Sequence, residues 1–316
     1  MTNDSRLRML TGLQPSGDLH IGNYFGALAP FLTMAKEHET FLMVADYHAL
    51  TSVKDGNLLR QNIYNIVRDY LAVGVDPNEV TLFRQSDNSD HMELGWVLNC
   101  MVTVPFLMQG HSYKDKVAKG LEANAGLFTY PMLMAADIVL YNTDVVPVGE
   151  DQRQHLEYTR EAVTKFNNNY GDILKEPKEA IMKSVGVVPG TDGQKMSKSY
   201  KNTIPLFGSR EDIQKAVMSI VTDSAGDRPQ NVYDIHTLFK SESELNTLYE
   251  NNAGKYKNLK EALVEDIDQF ISPMRELRDS ISDQDVINVL QVGAKKARAV
   301  SHETLERVRD VIGINL

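Results

Sequence analysis

The fold is decided by residues 8–24, which read RMLTGLQPSGDLHIGNY. The first six of these residues predict a β-strand, residues 15–17 predict a turn, and a helical pattern begins at about Ile21. A strand that passes through a glycine-containing turn into a helix presents free backbone N–H groups and the positive end of the helix dipole. Such a corner favours a phosphate, and His20 adds a donor there. An ordinary strand–turn–helix corner with a surface histidine would give the same pattern.

The alternation of strands and helices continues through the first half of the chain. Strands are predicted at residues 40–45, 80–83 and 145–148, and helices at residues 21–36 and 57–73. This alternation is typical of βαβ units, so the predicted fold class is α/β, with a doubly wound parallel sheet of the Rossmann type. The strand rhythm lapses between residues 86 and 130, which predicts a helical insertion.

The second half of the chain has a different pattern, which is nearly all helical from Ser209 onward. Residues 209–212 resemble a capping box, the arrangement in which a serine and an acidic residue three positions later cap the start of a helix. The change of pattern predicts a Rossmann-like domain at residues 1–205 and a helical domain at residues 206–316.

Composition narrows the class of protein. The chain has 316 residues, 42% of them hydrophobic, and a net charge of −10. This charge argues against a general nucleic-acid coat, because phosphate binding needs clustered Lys and Arg, so any RNA would be bound by a local basic patch. Cys100 is the single cysteine, which excludes an internal disulfide. Without a long uncharged apolar run or a secretory signal, we expect a cytoplasmic protein with no membrane-spanning helix.

A second informative string lies about 175 residues after His20. Residues 195–199 read KMSKS and follow a turn-rich segment at residues 190–193. Two ammonium groups and two hydroxyls on a mobile loop suit a polyphosphate whose charge shifts during a reaction. A solvated basic loop is the plain alternative for a pair of lysines, but this five-residue string is rarely met by chance.

Together the two strings resemble the HIGH and KMSKS motifs of the class I aminoacyl-tRNA synthetases. Residues 20–22 match the first motif in its strand–helix context, and residues 195–199 match the second in full. Asn23 replaces the final histidine of the first motif, a departure that is usual in the tryptophan branch of the class. That branch has a pattern similar to residues 14–17 and 22–24 of this chain.

The resemblance implies roles for individual residues. The catalytic residues would be His20, Lys195 and Lys198. ATP would be bound by Gln14, Pro15, Ser16, Gly22, Asn23, Gly149, Glu150, Asp151, Lys195, Met196, Ser197, Lys198 and Ser199. The substrate tryptophan would be bound by Tyr130, Met134, Asp137 and Gln152, with His48 bracing the pocket. Within this set, Gln152 would hold the substrate ammonium.

Asp137 is the residue on which the choice of amino acid should depend. It lies in an otherwise apolar segment, where an unpaired buried carboxylate would be costly. An indole N–H can only donate, so a carboxylate acceptor suits it, and Met134 and its apolar neighbours would pack against the ring. The alternative for Asp137 is a helix aspartate that is paired with a nearby arginine or N–H group.

Other residues also have plain alternatives. Residues 150–152 could cap the helix that follows them rather than bind ATP, and His155 is expected to be structural. Leu10 stands where many family members have an aromatic residue near the indole, and Tyr200 stands where many bacterial members have an acidic residue. These two departures affect the expected geometry of the pocket rather than the family.

The resemblance also implies the reaction and the partners. The expected activity is the activation of L-tryptophan by ATP, followed by transfer of tryptophan to its tRNA. Mg²⁺ would accompany ATP, because no Asp/Glu/His cluster has the spacing of a protein metal site. A homodimer is expected through the insertion at residues 86–130, and the helical domain would bind the tRNA anticodon. Two alternatives are a tyrosine-specific enzyme of the same architecture and a non-catalytic paralogue.

The C-terminal helix offers a possible basic patch for tRNA. Four side chains fall on one face of this helix at 100° per residue: Lys295, Arg298, His302 and Arg309. A solvated helix face is the better explanation of these residues on sequence alone, so the helical domain is assigned to tRNA by the resemblance and not by this patch.

Overall fold

The computed structural model describes residues 6–120, 122–148, 153–181, 187–222 and 228–316. Within these ranges, five parallel strands form one sheet: β1 (Arg8–Leu13), β2 (Glu39–Val44), β3 (Val80–Arg84), β4 (Val145–Val148) and β5 (Lys178–Ile181). Their order in the sheet is β3-β2-β1-β4-β5, so the chain winds outward from β1 in both directions. The predicted doubly wound parallel sheet is confirmed.

The two faces of the sheet are both apolar, as expected for a parallel sheet that is covered by helices on both sides. Side chains on β1 alternate between the faces, so that Met9 belongs to one hydrophobic cluster and Leu10 to the other. Leu10 pairs in register with Phe41 of β2, which faces the same cluster. Strand β5 was not predicted, because its sequence, KEAI, is too polar and too short to give an apolar run.

Fourteen α-helical segments are present in the described residues. The first nine are α1 (Ile21–Asn23), α2 (Ala29–Ala35), α3 (Asp46–Ala49), α4 (Gly56–Ala72), α5 (Asp90–Met101), α6 (Val104–Leu107), α7 (His111–Ala118), α8 (Ala125–Val139) and α9 (Arg153–Tyr170). The remaining five are α10 (Arg210–Met218), α11 (Gln230–His236), α12 (Glu242–Asn251), α13 (Tyr256–Ser280) and α14 (Asp283–Ile312). Helices α5 to α7 and the start of α8 occupy the predicted insertion. Within the described residues, no helix is long and apolar enough to cross a membrane.

The predicted capping box at the start of α10 is confirmed. The Ser209 side chain accepts a hydrogen bond from the Asp212 backbone N–H, and the Asp212 carboxylate accepts one from the Ser209 backbone N–H. Two N–H groups that would otherwise lack partners at the helix start are therefore satisfied by side chains.

The C-terminal helix α14 returns to the sheet and lies against β3, which is at one edge. A Cβ atom added to Gly293 would lie 1.7 Å from the backbone oxygen of Leu82, so only glycine permits this approach. Ala297, Leu305 and Val308 of α14 belong to the same hydrophobic cluster as Phe83. Helix α14 is thus packed into the core of the sheet, although it lies in the helical half of the sequence.

Candidate active site

The turn after β1 leads into α1 with a geometry that depends on two glycines. Gly17 has φ +89°, a backbone conformation that favours glycine. A Cβ atom on Gly22 would lie 2.9 Å from Nδ1 of His20, so the absence of a side chain allows the imidazole to pack against the start of the helix. The Asn23 side-chain oxygen accepts a hydrogen bond of 3.1 Å from the His20 backbone N–H. Asn23 therefore caps the corner that His20 begins.

The structure brings the two motif strings together. The Ile21 N–H donates to the Ile204 carbonyl at 3.0 Å, and the Leu206 N–H donates to the Leu19 carbonyl at 3.0 Å. These bonds hold the segment that follows the KMSKS string against the corner after β1. The ammonium of Lys198 donates to the Ser16 carbonyl at 3.2 Å. Lys198 and the start of α1 thus lie together at the carboxyl edge of the sheet, where ligands bind in folds of this type.

His20 is neutral in this corner. Burial, and to a smaller extent the nearby ammonium of Lys198, lower the pKa of His20 from its ordinary value of 6.5 to about 4. Its Nδ1 atom is buried and has no hydrogen-bond partner among the described residues. A buried polar atom without a partner is costly, so a ligand that reached it would gain a hydrogen bond that the protein leaves open.

The KMSKS loop is held by Asn202, a residue that sequence reasoning missed. Its amide nitrogen donates to Asp192 at 2.7 Å and to the Lys195 carbonyl at 3.1 Å, and its amide oxygen accepts from the Ser197 backbone N–H at 2.8 Å. Met196 points inward and is buried, while Lys195 and Lys198 are exposed. The loop thus has a fixed base with two cations at its surface. No sequence pattern indicated this role for Asn202.

Asp137 lies on α8 and is almost completely buried, with 1% of its surface exposed. One carboxylate oxygen is 2.7 Å from Nε2 of His48, and the other is 2.7 Å from Nδ1 of His91. The amide of Gln85 donates to both oxygens, at 2.8 and 3.0 Å. Burial alone would raise the pKa of Asp137, but the hydrogen bonds from His48 and His91 outweigh it and hold the pKa at about 2. Asp137 is therefore an anion.

Two partners of Asp137 were not predicted. Gln85 directly follows β3, and a polar residue at the carboxyl end of a buried strand was a usable signal. Its side-chain oxygen also accepts from the Tyr47 N–H at 3.1 Å, which fixes the orientation of the amide. His91 lies within α5, where nothing in the spacing distinguished it from a structural histidine. His48 was predicted to brace the pocket, and the structure places it in contact with Asp137.

Other predicted site residues are found in several places. The Tyr130 hydroxyl is hydrogen-bonded to Nε2 of His155, and the ring centroids of Tyr130 and His48 are 6.1 Å apart. Met134 packs against the hydrophobic cluster that contains Leu10. Gln14 and Ser16 are exposed, and Pro15 is buried. The predicted contacts of Gly149, Glu150, Asp151 and Gln152 lie outside the described residues.

The two departures from the family pattern are also placed. Leu10 is buried in β1, and Tyr200 is exposed in the short turn that follows Lys198. In the part of the chain that the structure describes, no group of three or more His, Cys, Asp or Glu residues could hold a metal ion.

The predicted basic face of α14 is divided by the structure. Lys295, Arg298 and His302 line a groove of about 1000 Å³ between α4 and α14. Arg309 lies elsewhere, and its guanidinium is bound by the carboxylates of Glu93 and Glu306. The charge of Arg309 is thus already compensated within the protein.

Comparison with known proteins identifies the class. The model of the family described as tRNA synthetases class I (W and Y) matches residues 2–280. The chain belongs to this family of class I tRNA synthetases. The tryptophan–tRNA ligase of Fusobacterium nucleatum is 46% identical over 319 residues, which cover 97% of this chain and 98% of that protein. The tryptophan–tRNA ligase of Campylobacter jejuni is 43% identical over 319 residues, which cover 98% of this chain and all (100%) of that protein.

A solved structure agrees with these relatives. The crystal structure of tryptophanyl-tRNA synthetase from Campylobacter jejuni, complexed with ADP and tryptophan, superposes on this chain with a TM-score of 0.93. The identity is 41%, and the superposition covers 97% of this chain and 100% of that one. The similarity therefore extends over both the sheet and the C-terminal helices.

Proposed function

We propose that this chain activates L-tryptophan with ATP, forming tryptophanyl-adenylate and pyrophosphate, and then transfers tryptophan to its tRNA. The observation that carries the proposal is the contact of the two motif strings at the carboxyl edge of the sheet, where Lys198 donates to the Ser16 carbonyl and its charge acts on His20. Relatives that match nearly the full length of the chain are named tryptophan–tRNA ligases, so tyrosine specificity is not favoured.

The chemistry needs positioning more than proton transfer. The carboxylate of tryptophan attacks the α-phosphorus of ATP, a new P–O bond forms, and the bond to pyrophosphate breaks. Since the nucleophile is already ionised, the protein must hold the reactants in line and stabilise the developing charge. In this proposal His20 donates to the α-phosphate as a neutral imidazole, and Lys195 and Lys198 follow the leaving pyrophosphate. Mg²⁺ accompanies ATP.

Asp137 has the capacity to select the amino acid. An ionised carboxylate has about four lone-pair sites, and three donor groups, on His48, Gln85 and His91, already face it. Gln85 contacts both oxygens through one amide nitrogen, so these four contacts use all of the sites, and in this proposal the indole N–H of tryptophan takes over one of the two that Gln85 now uses. A site built around such a hydrogen bond rejects analogues that lack the donor by roughly 10⁴–10⁵-fold in comparable enzymes.

The assignment is tested by ATP–pyrophosphate exchange with tryptophan, tyrosine and phenylalanine side by side. We expect exchange that depends on tryptophan alone. Exchange stimulated by tyrosine and not by tryptophan would show that the protein is specific for tyrosine, the other amino acid of its family. No exchange with any of the three would identify a non-catalytic paralogue.

The role of the lysines is tested in a single turnover. Replacing the exposed Lys195 by alanine removes one cation from the loop, so we expect adenylate formation to slow by about 10²-fold or more while tryptophan binding is retained. Rapid quench measures the first quantity, and calorimetric titration with tryptophan measures the second. Lys201→Ala, which removes a nearby exposed lysine outside the motif, is the matched control. Unchanged activation in Lys195→Ala would remove the proposed role.

A homodimer is also part of the proposal. Four large apolar side chains are exposed on α5, α6 and the segment that follows them: Met92, Trp96, Val104 and Met108. These side chains lie in the insertion through which the family resemblance predicts dimerisation, and a contact with a second copy there would cover them. Light scattering should give twice the chain mass of 35.5 kDa.

The remaining assignments follow the family resemblance. We infer that residues 1–205 form the catalytic domain and that residues 206–316 supply the contacts to the tRNA anticodon, in a cytoplasmic protein. Helices α10 to α13 support this division, because the described residues between Arg210 and Ser280 contain no strand. Binding of tRNA with and without an altered anticodon, measured at fixed salt, tests the second assignment.

A further inference from the structure

A chain of buried hydrogen bonds leads away from the carboxylate of Asp137. His91 faces that carboxylate through Nδ1, and its other ring nitrogen, Nε2, is 2.7 Å from the hydroxyl of Tyr141. The rings of His91 and Tyr141 are both fully buried. None of the residues beyond Asp137 is used by the proposed reaction, so these polar groups are present in the core for another reason.

The chain continues from Tyr141 to the C-terminal helix. The amide nitrogen of Asn88 donates to the Tyr141 hydroxyl at 3.2 Å and to the hydroxyl of Ser301 at 2.8 Å. Ser301 lies on α14 and in turn donates to the carboxylate of Asp90 at 2.7 Å. Asn88 and Ser301 are fully buried and more than 200 residues apart in the sequence.

Asn88 determines which groups donate and which accept in this series of hydrogen bonds. Its amide oxygen accepts from the Asp90 backbone N–H at 3.3 Å, so the amide nitrogen, which can only donate, faces Tyr141 and Ser301. Tyr141 accepts from Asn88 and must therefore donate its own proton to Nε2 of His91. A ring nitrogen that accepts carries no proton, so the proton of His91 is on Nδ1, where it points at Asp137.

We propose that Asn88, Tyr141 and Ser301 are positioning residues for the recognition of the substrate's indole N–H. They fix His91 as an Nδ1–H donor to one oxygen of Asp137 and so restrict the indole N–H of tryptophan to the acceptor positions that Gln85 and His48 now use. The inference rests on the proposed function, because it concerns the same pocket. In this inference Ser301 of α14 contributes to specificity at Asp137, although the two residues lie at different ends of the series of hydrogen bonds.

The hydrogen-bond chain can be interrupted by small changes at two of its members. Tyr141→Phe removes one hydroxyl and keeps the ring that stacks on Phe41. Ser301→Ala removes one hydroxyl on α14. The matched control is Thr304→Val, which removes a hydroxyl that is also buried on α14 and also bonded across to the Rossmann-like domain, through Asn142, but lies outside the chain.

The readout compares tryptophan with an analogue in which sulfur replaces the indole N–H group. For tryptophan we measure kcat/KM in ATP–pyrophosphate exchange, and for the analogue we measure the inhibition constant against tryptophan. We expect Tyr141→Phe and Ser301→Ala to lower kcat/KM for tryptophan by about ten-fold and to leave the inhibition constant of the analogue within about two-fold, because the analogue cannot donate to Asp137. Thr304→Val should change neither quantity.

The possible outcomes distinguish a positioning role of Tyr141 and Ser301 from a purely structural one. Equal losses for tryptophan and the analogue would show that Tyr141 and Ser301 only support the fold, which overturns the inference. The same holds if the control variant loses as much discrimination as Ser301→Ala. If the unmodified protein shows no tryptophan-dependent exchange, the proposed function itself fails, and the analogue experiment is then not needed to reject it.

A spectroscopic measurement tests the hydrogen-bond chain first on the unmodified protein and then on one variant. Long-range ¹H–¹⁵N NMR spectra of the labelled protein distinguish the two histidine tautomers and the imidazolium. We expect His91 to be neutral with its proton on Nδ1, and we expect the Nε2 signal to move in Tyr141→Phe. A proton on Nε2 of His91 in the unmodified protein would contradict the proposed direction of the chain.

Discussion

The lowered pKa of the single residue His20 affects the stability of the folded protein. Its pKa of about 4 lies below the ordinary value of 6.5, so the folded protein leaves this ring neutral while the unfolded chain takes up a proton between these values. The contribution of His20 to stability is therefore constant above pH 6.5 and becomes unfavourable as the pH falls toward 4.

The lowered pKa of His20 should therefore make the stability of the protein depend on pH below 6.5. His20→Gln should lose less free energy of unfolding than the unmodified protein when urea titrations at pH 7 and pH 5 are compared. The imidazole signal of His20 in NMR, assigned from its loss in this variant, should titrate near pH 4 in the free protein. A midpoint near 6.5 would contradict the buried, neutral imidazole.

Asp137 provides a second expectation at this scale. Asp137→Asn keeps the shape of the side chain but turns one acceptor oxygen into a donor, which would face the donors of His48, Gln85 or His91. Breaking a buried charge network costs about 3–5 kcal/mol, so we expect a loss of this order in the free energy of unfolding as well as loss of tryptophan binding. Urea titration and calorimetry measure the two effects. Tryptophan binding of unaltered strength would exclude Asp137 from recognition.

The KMSKS loop is the element whose geometry is most easily disturbed. A Cβ atom on Gly190 would lie 2.3 Å from the amide nitrogen of Asn202, so Gly190→Ala must displace the residue that holds the base of the loop. We expect kcat for ATP–pyrophosphate exchange to fall by about 10²-fold, the cost of displacing groups by about 1 Å. Gly56→Ala, where an added Cβ meets nothing within 4 Å, should retain full activity.

Sequence patterns predicted the strands and turns that have local signals. They missed the features that depend on contacts between distant residues. The strand Arg8–Leu13 and the corner before α1 were predicted, because turn residues and apolar runs are local signals. Strand β5 was missed because its polar sequence forms a strand only beside β4. Asn202 and His91 were missed for the same reason: their roles depend on atoms that the fold brings to them. The roles assigned to Lys195 and Asp137 stay predictions.

At the scale of the whole molecule, α14 is the feature that joins the two halves of the sequence. Gly293→Ala would place a methyl group against the backbone of Leu82 and force helix and strand apart, and we expect a loss of about 3 kcal/mol in the free energy of unfolding. Val292→Ala, at an exposed neighbouring position, should cost less than 0.5 kcal/mol, roughly the range of surface substitutions. Equal losses in the two variants would show that the approach of α14 to β3 is not tight.

The position of α14 also has a consequence for how the chain is made. The ribosome completes β3 long before α14, since partners such as Asn88 and Ser301 are 213 residues apart. At a translation rate of roughly 5–20 residues per second, β3 remains without the contact of α14 for on the order of 10–40 s. An uncovered edge strand is a template for pairing with another chain. Slow translation over this interval, or a nascent chain released before α14, should therefore increase the demand for chaperones more than an equal delay after α14 has emerged.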